Sequence, residues 1–325
     1  MWGCQYVKYA KYGKSCGKVV LGVDGNAKGL WYNGGMPELP EVETIRRGLN
    51  RFILKKKLVT TQVLCEKSFI GKPVTGMVIG LRRYGKALVI DLDSGYSLMI
   101  HLRMTGQLIY DGEERYAAGH PTDDFLDKLP NGRTRVVLGF TNGTLYFNDQ
   151  RKFGFIKTMR SAEVEEDSFI RKLAPEPWKM EPEEFYARLQ RHKNSCVKAV
   201  ILDQTVVCGL GNIYADEALF GAAIHPERRC GTISVLEAKK LLIAARTVMQ
   251  RSIESGGSTM ATYVRVDGTR GDYLEKFAQV FRREGKPCPR CGETIVKIRV
   301  AGRGTHICPQ CQKKNAAIVA KNNGE

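Results

Sequence analysis

The chain has 325 residues, room for two or three domains and a substantial core. Its apolar residues, 43% of the total, are too scattered to supply the ~20-residue run that a membrane-spanning helix needs. An integral membrane protein is therefore excluded. The 51 Lys+Arg against 34 Asp+Glu leave a formal charge of +17, which favours polyanionic partners, with nucleic acid first and an anionic membrane surface second.

Residues 1–35 are rich in Gly, Lys and Tyr and lack sustained periodicity, so they read as a leader and not as a domain. Lys8, Lys11, Lys14 and Lys18 precede only a five-residue apolar stretch, 19–23, with a glycine inside, which is no secretory signal. A reducing cytosol is expected, where grouped cysteines mark metal more often than disulfides. Folded structure is predicted from Met36 onward. Pro40 at a first helical position, Glu41 and Glu43 in the first turn, and Val42, Ile45, Leu49 and Phe52 at helical spacing describe an amphipathic helix. It should end before the basic cluster Lys55, Lys56, Lys57.

From about residue 58 to 160, within a first domain of residues 36–160, the pattern becomes short β-rich runs at 87–92, 96–102, 135–140 and 144–148. The last two flank Asn142-Gly143, a hairpin signal. Closely spaced strands of this kind predict an antiparallel sandwich or barrel, not a doubly wound sheet. Residues 161–184 carry eight acids, three bases and three prolines, and are expected to be an acidic interdomain linker. In residues 185–284, Val197, Val200 and Ile201 share a helical face, Gly209-Leu210-Gly211 breaks the chain, and Asn212 is a candidate N-cap for a second helix. Helix, glycine turn, helix suits a DNA-binding element, although an ordinary αα-hairpin has the same pattern.

Residues 285–314 contain Cys288-x2-Cys291 and Cys308-x2-Cys311 separated by 16 residues, long enough for a β-hairpin. Four thiolates at this spacing close a tetrahedral shell around one Zn2+, which leaves no open position and makes the ion structural. Seven bases and the single acid Glu293 make this ribbon basic, as a nucleic-acid partner requires. Residues 315–325 are read as a tail. The fold class is thus α+β and multidomain: an N-terminal antiparallel β-sandwich with a flanking helix, a helix-two-turns-helix domain and a zinc ribbon.

The segment Met36-Pro37-Glu38-Leu39-Pro40-Glu41-Val42-Glu43 resembles the amino terminus of the formamidopyrimidine-DNA glycosylases, bacterial enzymes that excise oxidised purines from DNA. The resemblance continues through Arg83-Tyr84-Gly85-Lys86, His101-Leu102-Arg103-Met104-Thr105-Gly106 and Asp149-Gln150-Arg151-Lys152-Phe153-Gly154. It extends to Leu210-Gly211-Asn212-Ile213-Tyr214-Ala215-Asp216-Glu217 and Gly302-Arg303-Gly304-Thr305. It implies a bifunctional glycosylase/AP lyase of base excision repair that acts on damaged double-stranded DNA. By resemblance, Pro37 is the nucleophile, Glu38 the acid, and Lys86 and Arg303 assist the two eliminations. Arg303 holds its proton too tightly to donate it readily, so phosphate clamping is its more natural role. Met104, Arg151 and Phe153 match the residues that fill the void left by a flipped nucleotide. Arg133, Arg151, Lys198 and Asn212 match DNA contacts, and residues 256–271 match the loop over the flipped base.

The chemistry explains the proline. A free α-amine has a pKa near 8, so about a tenth is nucleophilic at pH 7, far more than for an ordinary lysine. That amine exists only if nothing precedes Pro37, so the active polypeptide is expected to lack residues 1–36. Zn2+ is the one cofactor expected, with no small-molecule cofactor, no membrane association, a monomeric state and a cytoplasmic, nucleoid-associated location. The rival readings are an endonuclease VIII-type glycosylase for oxidised pyrimidines and, if the leader is retained, a DNA-binding protein without catalysis.

Overall fold

A computed structural model of the protein describes residues 37–119, 128–257 and 273–314. The expected leader, the tail and nearly all of the base-covering loop lie outside the described residues. Helix α1 spans Leu39–Ile53, with Pro40 in its first turn as expected. Its buried stripe is Leu39, Val42, Ile45, Leu49 and Ile53. Each such side chain is worth about 1.5–3 kcal/mol of burial. Ile53 takes the core position expected for Phe52, which is only half-buried. After α1 the chain turns through Lys55, which has φ +60, into the first strand.

Ten strands follow: β1 Lys57–Val63, β2 Phe69–Ile70, β3 Gly76–Tyr84, β4 Ala87–Leu92, β5 Tyr96–His101, β6 Gly106–Gly112, β7 Arg115–Gly119, β8 Thr134–Phe140, β9 Gly143–Asp149 and β10 Phe155–Arg160. Their order across the sheet is β2-β10-β5-β4-β3-β1-β8-β9-β6-β7. The sheet folds over where β1 meets β3, a junction with only two register pairs, Lys57↔Met77 and Leu58↔Gly76. One core then fills the space between the halves, with Leu58, Val78, Ile90 and Ile100 meeting Leu108, Val136, Leu145 and Phe147 beside α1. The predicted sandwich is present, and its pairings are antiparallel except for the short β2–β10 pair. The Asn142-Gly143 turn joins β8 to β9 in the register Phe140↔Gly143.

Residues 161–184, expected to be an acidic interdomain linker, pack against both the sheet and the helices. Val164 and Ile170 are buried against Ala87, Val89 and Met99 on the outer face of the sheet, and Met180 is buried in the helical core. Most of the acids remain outside while the apolar residues between them dock, but Asp167 is buried against Lys157 and Glu176 is half-buried on Arg83, so the segment is a packed strap. The helical part comprises α2 Pro182–Gln190, α3 Val197–Ile201, α4 Asn212–Gly221, α5 Val235–Glu254 and the short α6 Tyr273–Lys276. A hairpin of β11 Val296–Val300 and β12 Arg303–Ile307 completes the ribbon. Leu39 of α1 belongs to the helical core, and its amide donates to Gly209 O at 3.2 Å, so the first turn of α1 is clamped between sandwich and helices.

Candidate active site and nucleic-acid interface

Pro37 is buried at the start of α1, and Glu38 beside it is 3% exposed. The Glu38 amide donates to Glu41 Oε2 at 3.0 Å. Its carboxylate crosses to α4, accepting from Gly211 N at 2.7 Å, Ile213 N at 2.9 Å and Tyr214 N at 3.4 Å. These are orphan donors of a helix N-terminus, where a carboxylate is favoured. The approach requires Gly211, because a Cβ there would lie 2.3 Å from Glu38 Cδ. Gly209 meets a second demand: it has φ +96, and Leu39 packs directly against it. Asn212 is therefore not the N-cap expected from sequence. Gly211 occupies that position, Asn212 is the first helical residue, and a carboxylate from far away in the chain replaces the local cap.

Burial raises the Glu38 carboxyl to about 7, with Lys86 pulling it down and Glu41 pushing it up. Lys86 is itself 8% exposed, and its ammonium donates to Leu210 O at 2.7 Å. Burial lowers its pKa, and Glu38 opposes the shift. Its loop is fixed from behind by Arg83, which donates to both oxygens of Glu176 at 2.6 and 3.1 Å and to Glu43 at 3.1 Å. Glu176 also accepts from Gly85 N at 3.2 Å. Pro37, Glu38 and Lys86 are thus gathered at one seam. Sequence reasoning passed over the support beneath it: the Tyr214 hydroxyl donates to Glu41 Oε1 at 2.6 Å and lies 2.5 Å from Ser252 Oγ of α5. These partners are 38 or more residues apart, a separation that no local motif records.

Arg303 is exposed at the start of β12 and lowers the pKa of Lys86 through its charge. Asn212 Nδ2 donates to Gly304 O at 3.0 Å, so Asn212 and Arg303 share one edge. Lys198 requires a correction. Expected at a phosphate, its side chain is 0% exposed, donating to Asp216 Oδ1 and Thr305 Oγ1 at 2.6 Å each. A phosphate has no access to a cation enclosed in this way; Lys198 is a strut tying α3 to α4 and the ribbon. The signal for its partner was Asp216, within the glycine-led motif but not recognised as a counter-ion.

Met104, Arg151 and Phe153 come together on two adjacent loops. Arg151 Nη1 lies 3.3 Å from Met104 Sδ, and its guanidinium sits 4.8 Å from the centroid of the Phe153 ring. Met104 and Phe153 are 38% and 54% exposed, uncommon for large apolar side chains. Arg133 is exposed nearby, its carbonyl accepting from Asp149 N at 2.9 Å.

The four ribbon cysteines present sulfurs all within 4.8 Å of one another. A tetrahedral Zn–S distance of about 2.3 Å implies S···S edges of about 3.8 Å. The observed separations include 3.9 Å for Cys288–Cys311 and 3.4 Å for Cys291–Cys308. Arg290 N and Cys311 N each donate to a knuckle sulfur at 3.4 Å. The set fits one structural zinc. Phe220 at the end of α4 packs into this small core with Val280 and Ile295, and Glu217 accepts from the amides of Gln279, Val280 and Phe281. Among the described residues no helix is long and apolar enough to cross a membrane.

A folded-over β-sandwich, a two-helix element whose second helix is capped by the buried Glu38, and a basic Cys4 ribbon thus make up the described chain. Three family models match in order: the formamidopyrimidine-DNA glycosylase N-terminal domain over 36–156, its H2TH domain over 173–264, and the zinc finger found in FPG and IleRS over 285–314. The formamidopyrimidine-DNA glycosylase of Pelotomaculum thermopropionicum is 38% identical over 288 residues, covering 86% of this chain and 99% of its own. That of Streptococcus pyogenes serotype M6 is 40% identical over 293 residues, with the same shares. A solved structure of the complex between Lactococcus lactis Fpg and DNA containing an abasic site aligns with TM-score 0.75 at 32% identity, over 86% of this chain and all of the other. The chain belongs to the formamidopyrimidine-DNA glycosylase family.

Proposed function

We propose that the protein is a bifunctional glycosylase/AP lyase that removes oxidised purines from double-stranded DNA and cuts the strand at the resulting site. The observation that carries this reading is Glu38, a buried carboxyl with a pKa near 7, held by α4 amides beside Pro37 and Lys86. With the chain beginning at Pro37, its secondary amine attacks C1′ of the damaged nucleotide; the new N–C1′ bond forms as the bond to the base breaks, and the amine's proton leaves with the base. Glu38 gives its proton to the ring oxygen as the sugar opens. The product is an iminium ion that has no N–H to lose and so remains an electron sink. Loss of the 2′ proton then expels the 3′ phosphate, and a second elimination expels the 5′ phosphate. Lys86 lies within the electrostatic reach of Glu38 and serves proton transfer in these steps, while Arg303 clamps a phosphate. Zinc, held by Cys288, Cys291, Cys308 and Cys311, keeps the ribbon folded and supplies no reactive position.

Flipping leaves a hole in the duplex, which Met104 and Phe153 fill as apolar wedges while Arg151 bonds the orphaned base. Arg133 and Asn212 contact the backbone. Leu39 and the intact Met104, Arg151 and Phe153 set favour purine lesions over the endonuclease VIII-type preference. Relatives are consistent with some breadth: crystal structures exist of MutM with DNA containing a carbocyclic 8-oxo-G and of Lactococcus lactis Fpg with DNA containing an oxidised pyrimidine.

The test is borohydride trapping on an abasic duplex combined with intact mass. A trapped adduct from protein whose mass begins at Pro37 is expected. A preparation that retains residues 1–36 and still traps would remove Pro37 from the nucleophile's role and shift it to Lys86; no adduct from protein beginning at Pro37 would make the chain a binding protein.

A further inference from the structure

Asp149 has no part in the chemistry above, yet its side chain is wholly buried at the foot of the two loops that carry Met104, Arg151 and Phe153. The loops run side by side because β6 pairs with β9 through Gly106↔Asp149 and β5 pairs with β10 through His101↔Phe155. One carboxylate oxygen accepts the hydroxyl of Thr105 and, at 3.2 Å, the amide of Arg151. The other accepts Gly154 N at 2.7 Å. Thr105 Oγ1 in turn accepts the Arg151 amide at 3.0 Å, closing a ring of hydrogen bonds across both loops. Lys152, between the two wedge positions, is held at φ +57, a conformation that costs energy unless its surroundings enforce it.

A buried carboxylate without these donors would be expensive, and an amide in its place would turn an N–H toward another donor. We infer that Asp149, acting through Thr105, is a positioning residue for base extrusion: it preassembles Met104, Arg151 and Phe153 into one rigid wedge before DNA is bound. The inference rests on the void-filling reading of those three residues. Without the ring, exposed Met104 and Phe153 would have to be ordered during extrusion, at an entropic cost to that step alone.

The test uses the full chain and needs no turnover. 2-Aminopurine placed beside 8-oxoguanine reports unstacking on rapid mixing, and an undamaged duplex reports binding in which no void has to be filled. Thr105→Val and Asp149→Asn are expected to slow the fluorescence rise about tenfold, the effect of losing a hydrogen bond to a charged group, with affinity for the undamaged duplex unchanged. The double variant should be no slower than Asp149→Asn, because both act through one ring. Equal weakening on both duplexes, or an unaltered fluorescence phase in Thr105→Val, would overturn the inference; Thr105→Val decides it even where Asp149→Asn does not fold. Phe153→Ala separates the two levels. If it slows unstacking while Thr105→Val does not, only the role of Asp149 falls; if it changes nothing, the wedge reading falls and takes this inference with it.

Discussion

Glu38→Gln isolates the property on which the proposed chemistry depends. The folded chain holds the Glu38 proton up to about pH 7, against 4.5 for an unperturbed glutamate, with burial as the main cause. Because the folded pKa is the higher one, the stability linked to this proton is fully present below about pH 4.5 and is lost as pH rises through 7. Between pH 5 and pH 8 that loss amounts to about 2–3 kcal/mol, at about 1.4 kcal/mol per pKa unit. Glutamine cannot ionise, so this component disappears in the variant. Urea unfolding of both proteins at the two pH values should show the variant gaining about 2–3 kcal/mol relative to wild type at the higher pH. Base excision should fall about 100- to 10,000-fold, the usual contribution of a general acid. A stability difference that stays flat from pH 5 to pH 8 would refute the buried neutral carboxyl, whatever happened to activity.

Lys198→Met strands Asp216 and should cost about 3–5 kcal/mol of stability in thermal or chemical unfolding, whereas Lys198→Met with Asp216→Leu should recover much of it. Purified protein should contain one zinc per chain by elemental analysis, and Cys308→Ser should lose the metal and its hydrogen-exchange protection over β11 and β12. Arg303→Ala should weaken binding to damaged and undamaged duplexes alike, with the slope of log K against log salt reduced by about one. An unchanged slope in fluorescence titrations would remove Arg303 from the phosphate contacts.

What could be read from the sequence was local. Strand β4 rests on a short apolar run and the Asn142-Gly143 hairpin on turn chemistry within a few residues, and the cysteine knuckles carry their ligand geometry in their spacing. The packing of the acidic strap was not legible because its charges outnumber the few apolar residues that dock it, such as Val164 and Met180. Asn212 satisfied the local rule for an N-cap, but Glu38, 174 positions earlier, supplies a stronger acceptor to the same amides. Lys198, expected by resemblance at a DNA contact, is enclosed instead because α4 offers Asp216 as its partner. Each miss concerns a contact between distant segments, where composition and periodicity are silent.

Helix α4 sets a dimension that the chain cannot easily change. Its ten residues rise 1.5 Å each, so about 15 Å separates the end gripping Glu38 from the end that inserts Phe220 among the zinc cysteines. One inserted residue within α4 would turn everything beyond it by about 100°. Phe220 would then point away from the ribbon, and Asp216 and Glu217 could not both keep their partners. Helix α4 thus behaves as a gauge block whose length neither end can renegotiate.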